Sequence, residues 1–135
     1  VKLKKLMTGS IETCEPSTPI QEVASLMRTM EVGSIPVVEN GELVGIVSDR
    51  DIVIQSVADG TINCTASDVM TRNPVTGEID MTVEDAKRLM SEHQVRRLPI
   101  MENGRVAGIV SLGDLAVKDI DNNKAGDALT EISKS

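Results

Sequence analysis

Apolar positions along the chain fall into two rhythms, and these follow one another in the same order twice. Ile20, Val23, Ala24, Leu26, Met27 and Met30 recur at three- and four-residue intervals, which puts them on one side of a helix, and Val83, Ala86, Leu89 and Met90 do the same further on. Ser17 and Thr18 are cap candidates for the first helix, with Pro19 suited to its first turn. Thr82 is the cap candidate for the second, and Glu84 and Asp85 stand in the first turn, where the helix dipole favours acids. Each helix is followed by a short apolar run, Ile35 to Val38 or Leu98 to Met101, then Glu-Asn-Gly, then a second run, Leu43 to Val47 or Val106 to Val110. Asn-Gly between two such runs predicts a tight hairpin, because both residues tolerate the positive φ that the turn demands. Ser48 and Ser111 close the last strand, and second helices are expected from Asp49 to about Ala58 and from Leu112 to about Asp119. With a short extended piece ahead of each first helix, Ile11 to Thr13 and Val75 to Thr76, each unit reads β-α-β-β-α.

The two units are copies of one another, offset by 63 residues without insertion. Positions 7 to 52 against 70 to 115 give 16 identities in 46 pairs, among them Met7-Thr8 with Met70-Thr71, Pro36 with Pro99, Glu39-Asn40-Gly41 with Glu102-Asn103-Gly104, and Asp51 with Asp114. A unit of about 60 residues is marginal on surface-to-volume grounds, so the copies are expected to bury their apolar faces against each other. The fold class that follows is α+β, two repeats packed about a pseudo-twofold axis into one globule. Residues 1–65 form the first repeat with its linker and 66–120 the second, opened by a short helix from Ala66 to Met70. Residues 121–135 form a tail, or a short docking helix carrying Ala125, Ala128, Leu129 and Ile132.

Composition narrows the chemistry. The chain has no Phe, Tyr or Trp, so its core must be built from aliphatic side chains and seven Met, and a bound purine could not be sandwiched on an aromatic ring. A net charge of -7 argues against nucleic acid, whose backbone is gripped by Lys and Arg. Cys14, Cys64 and the single His93 fit no metal-binding spacing and read as free thiols and a partly exposed histidine. No run of 18 apolar residues occurs and the start, Val1-Lys2-Leu3-Lys4-Lys5, lacks a secretory pattern; the expectation is a cytoplasmic protein with no membrane association.

Candidate chemistry lies at the strand-to-helix corners, Gly45-Ile46-Val47-Ser48-Asp49-Arg50-Asp51 and Gly108-Ile109-Val110-Ser111-Leu112-Gly113-Asp114. Each sets a hydroxyl and, three residues on, a carboxylate at a helix start, where backbone N–H groups are unpaired. Ser-x-x-Asp at such a place is also close to a capping box, which satisfies the helix end and nothing more. A carboxylate can accept two hydrogen bonds from a vicinal diol, and phosphate needs cations and N–H groups. Arg50, Arg97 and, less directly, Arg96 are the cations near these corners.

The order of Met-Thr, amphipathic helix, Pro-containing strand, Glu-Asn-Gly and Gly-Ile-Val-Ser with Asp three residues later resembles a tandem pair of cystathionine β-synthase (CBS) domains, the Bateman module, over about residues 5 to 118. The segments Asp49-Arg50-Asp51-Ile52-Val53-Ile54 and Glu92-His93-Gln94-Val95-Arg96-Arg97-Leu98-Pro99 look like those of small free-standing CBS-pair proteins, including the hypoxic response protein type. The resemblance implies a regulatory module holding AMP, ADP, ATP or S-adenosylmethionine in clefts between the repeats and signalling to an effector protein or through its own dimer. It implies no obligatory cofactor. It also implies phosphate and ribose roles for Ser48 with Asp51 and for Ser111 with Asp114. Adenine would then lie against Thr13, Ile35 and Pro36 in one cleft and Thr76, Leu98 and Pro99 in the other.

Two departures bear on that expectation. Gly113 stands where the first corner has Arg50, so the clefts differ in charge, and Asp49 would repel phosphate unless it points outward or pairs with Arg50. Unequal occupancy is expected. The alternative to a sensor is a ligand-free scaffold that dimerises through its helices. An enzyme is the weakest reading: the sequence has no catalytic dyad, no Gly-rich phosphate loop of the Lys-ending type and no metal cluster.

Overall fold

The computed structural model describes residues 1–6, 11–60, 63–113 and 115. The element order is α1 (Leu3–Leu6), α2 (Ile20–Met30), β1 (Ser34–Glu39), β2 (Glu42–Ser48), α3 (Asp49–Asp59), α4 (Ala66–Val69), β3 (Thr71–Arg72), β4 (Gly77–Glu78), α5 (Val83–Glu92), β5 (Arg97–Glu102) and β6 (Arg105–Ser111). Leu112, Gly113 and Leu115 are helical; Asp114, the rest of the expected second-repeat helix to Asp119 and the tail at 121–135 lie outside the described residues. Among the described residues no helix is long and apolar enough to cross a membrane.

Among the described residues the strands form two three-stranded sheets, ordered β1-β2-β3 and β4-β5-β6. The hairpins β1-β2 and β5-β6 are antiparallel with matching registers, Ile35 opposite Val47 and Leu98 opposite Val110, and each carries an irregularity at the same place, after Val37 and after Ile100. Asn40 and Gly41 take φ of 53° and 81°, Asn103 and Gly104 of 53° and 78°, the left-handed pair the sequence predicts for a two-residue hairpin loop.

Three local expectations shift. Pro19, with φ -61° and ψ 144°, is the N-cap of α2 rather than part of its first turn, and neither Ser17 nor Thr18 caps the helix. Thr18 Oγ1 instead accepts from the Glu15 N–H at 2.9 Å and closes the turn before it. The leading strands pair later than expected: Cys14 bridges Val37, and β4 is Gly77–Glu78, because the parallel partner must reach the middle of β1 or β5. β3, which nothing in the period-two pattern signalled, adds to β2 through Gly45 with Arg72 and Ile46 with Thr71. Thr82 caps α5 as expected, its Oγ1 accepting from the Asp85 N–H at 3.1 Å.

Two cores follow the two repeats, but their lead-in segments are exchanged. Leu3, fully buried, packs with Val83, Ala86, Met90, Leu98, Ile100, Val110 and Leu115 of the second repeat, and Leu3 N–H donates to the Met81 carbonyl at 2.9 Å. Ala66, fully buried, packs with Cys14, Val23, Met27, Ile35, Val37 and Val47 of the first, and Ala66 N–H donates to the Thr18 carbonyl at 2.8 Å. The bonds Val83 N–H to Val1 carbonyl and Ile20 N–H to Cys64 carbonyl are the same bond under the 63-residue offset. With β6 also packed against β1 and β2, the repeats interlock.

Candidate functional site

Each corner sits where a β-strand ends and its last residue turns into a helix. Ser48, with φ -106° and ψ 160°, is the N-cap of α3; its Oγ accepts from Asp51 N–H at 3.1 Å, and Asp51 Oδ2 accepts from Ser48 N–H at 3.0 Å. That is a complete capping box, so the hydroxyl and one carboxylate oxygen are engaged locally. Asp51 Oδ1 accepts no hydrogen bond from the described residues, and the side chain is half-buried rather than sealed. The corner caps its helix and still presents one carboxylate oxygen.

Asp49 differs from expectation in its partner. Its Oδ1 accepts from the Arg50 N–H at 2.8 Å, but its ion pair is with Arg97, Nη2 to Oδ1 3.7 Å, across the repeat boundary. Arg50 itself is exposed, and its side chain forms no ion pair with the described residues. The pair is placed by backbone on both sides. Asp49 N–H donates to the Gly33 carbonyl at 2.9 Å, as Leu112 N–H does to the Arg96 carbonyl in the other repeat. Arg97 opens β5 directly opposite Ser111, the hydroxyl of the second corner. The start of β5 is therefore tied through the Arg97 side chain to the first corner. A Cβ on Gly33 would lie 2.7 Å from Arg97 Nη2, so glycine here leaves the guanidinium its path. With the Arg97 side chain 33% exposed and that of Asp49 63%, the pair contributes about 0–1 kcal/mol to stability.

The expected adenine residues divide into floor and edge. Ile35, Pro36, Leu98 and Pro99 are all buried, Ile35 and Leu98 as members of the two cores. Thr13 is exposed and Thr76 half-buried. Cys14 uses both its N–H and its carbonyl on β1, bonding Pro36 and Val38. Since alternate residues of a parallel strand bond the same neighbour, the Thr13 N–H and carbonyl face the open edge of the sheet. Ser111 is half-buried; its partner acid Asp114 is outside the described residues. His93 caps the C-terminus of α5 and is exposed, as is Arg96.

Burial pushes the Cys14 thiol up to about 11, with the nearby Glu22 carboxylate adding to it, and burial also raises Cys64. Among the described residues no group of three His, Cys, Asp or Glu side chains converges as a metal site would require.

The ion pair and Gly33 escaped the sequence reading because they lie where the repeat breaks: Ser34 becomes Arg97, Asp49 becomes Leu112 and Gly33 becomes Arg96.

With this geometry in place, the family follows from comparison. The CBS domain family matches twice, at residues 3–57 and 66–120, and the chain belongs to that family as a tandem pair. It is 48% identical over 132 residues to the CBS domain-containing protein YhcV of Bacillus subtilis, covering 97% of this chain and 94% of that protein. Among solved structures it is similar to CBSX2 in complex with AMP, at 28% identity and a TM-score of 0.73, over 90% of this chain and 97% of that one. It is also similar to the CBS domain pair of MJ0100 in complex with 5′-methylthioadenosine and S-adenosyl-L-methionine, at 25% identity and a TM-score of 0.80, over 91% of this chain and 98% of that one. Two proteins of similar structure thus hold adenosyl compounds, and the two-repeat α+β expectation stands.

Proposed function

We propose that the protein is a regulatory module that binds an adenosyl ligand between its repeats and passes the bound state to an effector protein or through a homodimer. In this reading Asp51 turns its open Oδ1 toward the ribose hydroxyls, and loss of either hydroxyl leaves a polar group unpaired, which is how the site tells ribose from deoxyribose. Ser48 and Arg97 face the phosphate, with Arg50 at the rim. The backbone edge at Thr13 meets the adenine, over a floor formed by Ile35 and Pro36. Thr76, Leu98, Pro99, Ser111 and Asp114 make the corresponding set in the second cleft, which lacks a counterpart of Arg50 and so favours a less charged ligand. The observation that carries the reading is the Ser48–Asp51 corner, which leaves Asp51 Oδ1 open, with the Arg97 guanidinium of the other repeat reaching the same corner at Asp49. AMP, 5′-methylthioadenosine and S-adenosylmethionine, the first held by CBSX2 and the others by MJ0100, define the ligand class to test, along with ADP and ATP. No catalytic step belongs to this reading, and it goes with a cytoplasmic protein.

Isothermal titration of the wild type with AMP, ATP and S-adenosylmethionine tests it, alongside Asp51→Ala and Asp114→Ala. The expected result is binding of at least one ligand by the wild type, weakened tenfold or more in one variant, roughly the loss of a charge-assisted bond to the ribose. No heat with any ligand, and no shift of melting temperature, would remove the sensor. A second reading, a ligand-free dimerising scaffold, is favoured by α3, which buries no side chain and exposes Val53 at 59%, Ile54 at 53% and Val57 at 78%.

A further inference from the structure

We propose that Asp49 is a built-in competitor for ligand phosphate: it occupies Arg97 in the empty protein and is displaced when a phosphate-bearing adenosyl ligand enters the first cleft, so that it sets how strongly the module prefers charged ligands over uncharged ones. The inference rests on the adenosyl-binding reading above. Its own basis is the cross-repeat pair, 3.7 Å between Arg97 Nη2 and Asp49 Oδ1, which brings a cation of the second repeat to the corner of the first.

Three features make this a competition rather than a fixed brace. First, the pair is long and the Asp49 side chain is 63% exposed, so the carboxylate leaves without desolvation cost. A phosphate binds the same guanidinium through two parallel N–H bonds, which a single 3.7 Å contact does not match. Second, Asp49 is held in the corner by its backbone, through the Gly33 carbonyl, and does not need Arg97 to stay there. Its charge therefore remains beside the cleft after displacement and opposes each added phosphate charge. Third, the arrangement occurs in one corner only, because the second repeat has Leu112 in place of Asp49 and the first has Ser34 in place of Arg97. The first cleft carries a charge filter that the second lacks.

Asp49→Asn keeps an oxygen to accept the Arg50 N–H and removes the charge. It is expected to tighten AMP binding by roughly three- to tenfold, ADP and ATP by more, and to leave 5′-methylthioadenosine unchanged. Gly33→Ala places a methyl against Arg97 Nη2 and is expected to weaken AMP by a similar factor, again without effect on 5′-methylthioadenosine. Titration of both ligands into wild type, Asp49→Asn and Gly33→Ala at low and moderate salt reads these signs directly, with melting curves to verify folding. If AMP binds the wild type and Asp49→Asn leaves its affinity and salt dependence unchanged, or shifts both ligands equally, the competition is overturned while the adenosyl site stands. If neither ligand binds any of the three proteins, the adenosyl reading fails and the competition with it. Should Gly33→Ala not fold, Asp49→Ser carries the same expectation as Asp49→Asn and decides the question.

Discussion

At the scale of single residues the molecule asks several side chains to serve two ends. Ser48 and Asp51 complete a helix cap and stand at the proposed ligand corner, and the two roles separate experimentally. Ser48→Ala is expected to cost about 1 kcal/mol in a urea melt, the ordinary value of an N-cap, whether or not ligand is present. A ligand role for the hydroxyl adds a loss of affinity on top. Cys14 offers a second test. Its thiol is raised from about 9 to about 11, so the native state keeps its proton where the unfolded chain has already lost it. The associated stability is fully present below pH 9 and is lost as pH rises from 9 toward 11, on the order of 2 kcal/mol in all. Denaturant midpoints across that range should fall in the wild type and fall less in Cys14→Ala. The cap and its acid were legible from Ser-x-x-Asp spacing, since capping is local. The Asp49–Arg97 pair was not, because its members are 48 positions apart and only the crossing of repeats brings them together.

At the scale of elements the pattern of apolar positions was sufficient wherever one face is buried against a partner. In α2 it marked Ile20, Val23 and Met27, which are buried, and Leu26, which is half-buried, but also Ala24 and Met30, which are exposed; in α5 Val83, Ala86 and Met90 are buried and Leu89 half-buried. It was silent for β3, whose two residues are both exposed and carry no hydrophobic alternation to read. In α3 it gave the extent of the helix but no buried face, and Val53, Ile54 and Val57 remain outside. Val57→Lys should therefore leave monomer stability within about 0.5 kcal/mol of wild type, the usual range for an exposed position. Under the scaffold reading the same substitution shifts native mass spectra from dimer to monomer; an unchanged subunit number would take α3 out of any interface.

At the scale of the whole molecule the exchange of lead-in segments is the feature with the widest consequence. Leu3 belongs by sequence to the first repeat and by packing to the second. Leu3→Ala is expected to cost about 2–5 kcal/mol. Amide exchange should show the loss of protection in α5 and β5, well before α2 and β1. An equal loss in both repeats would mean that the two cores unfold as one.

From its own order of residues the chain determined the duplication, the α+β repeat, both hairpin turns and the hydroxyl-acid corners, because periodicity, turn chemistry and capping act between residues close in sequence. Only the tertiary structure decided which repeat receives each lead-in segment, which acid meets which arginine, and which apolar residues stay outside. Those choices depend on how two nearly identical surfaces meet, and side chains dozens of positions apart carry no mark of it until they touch.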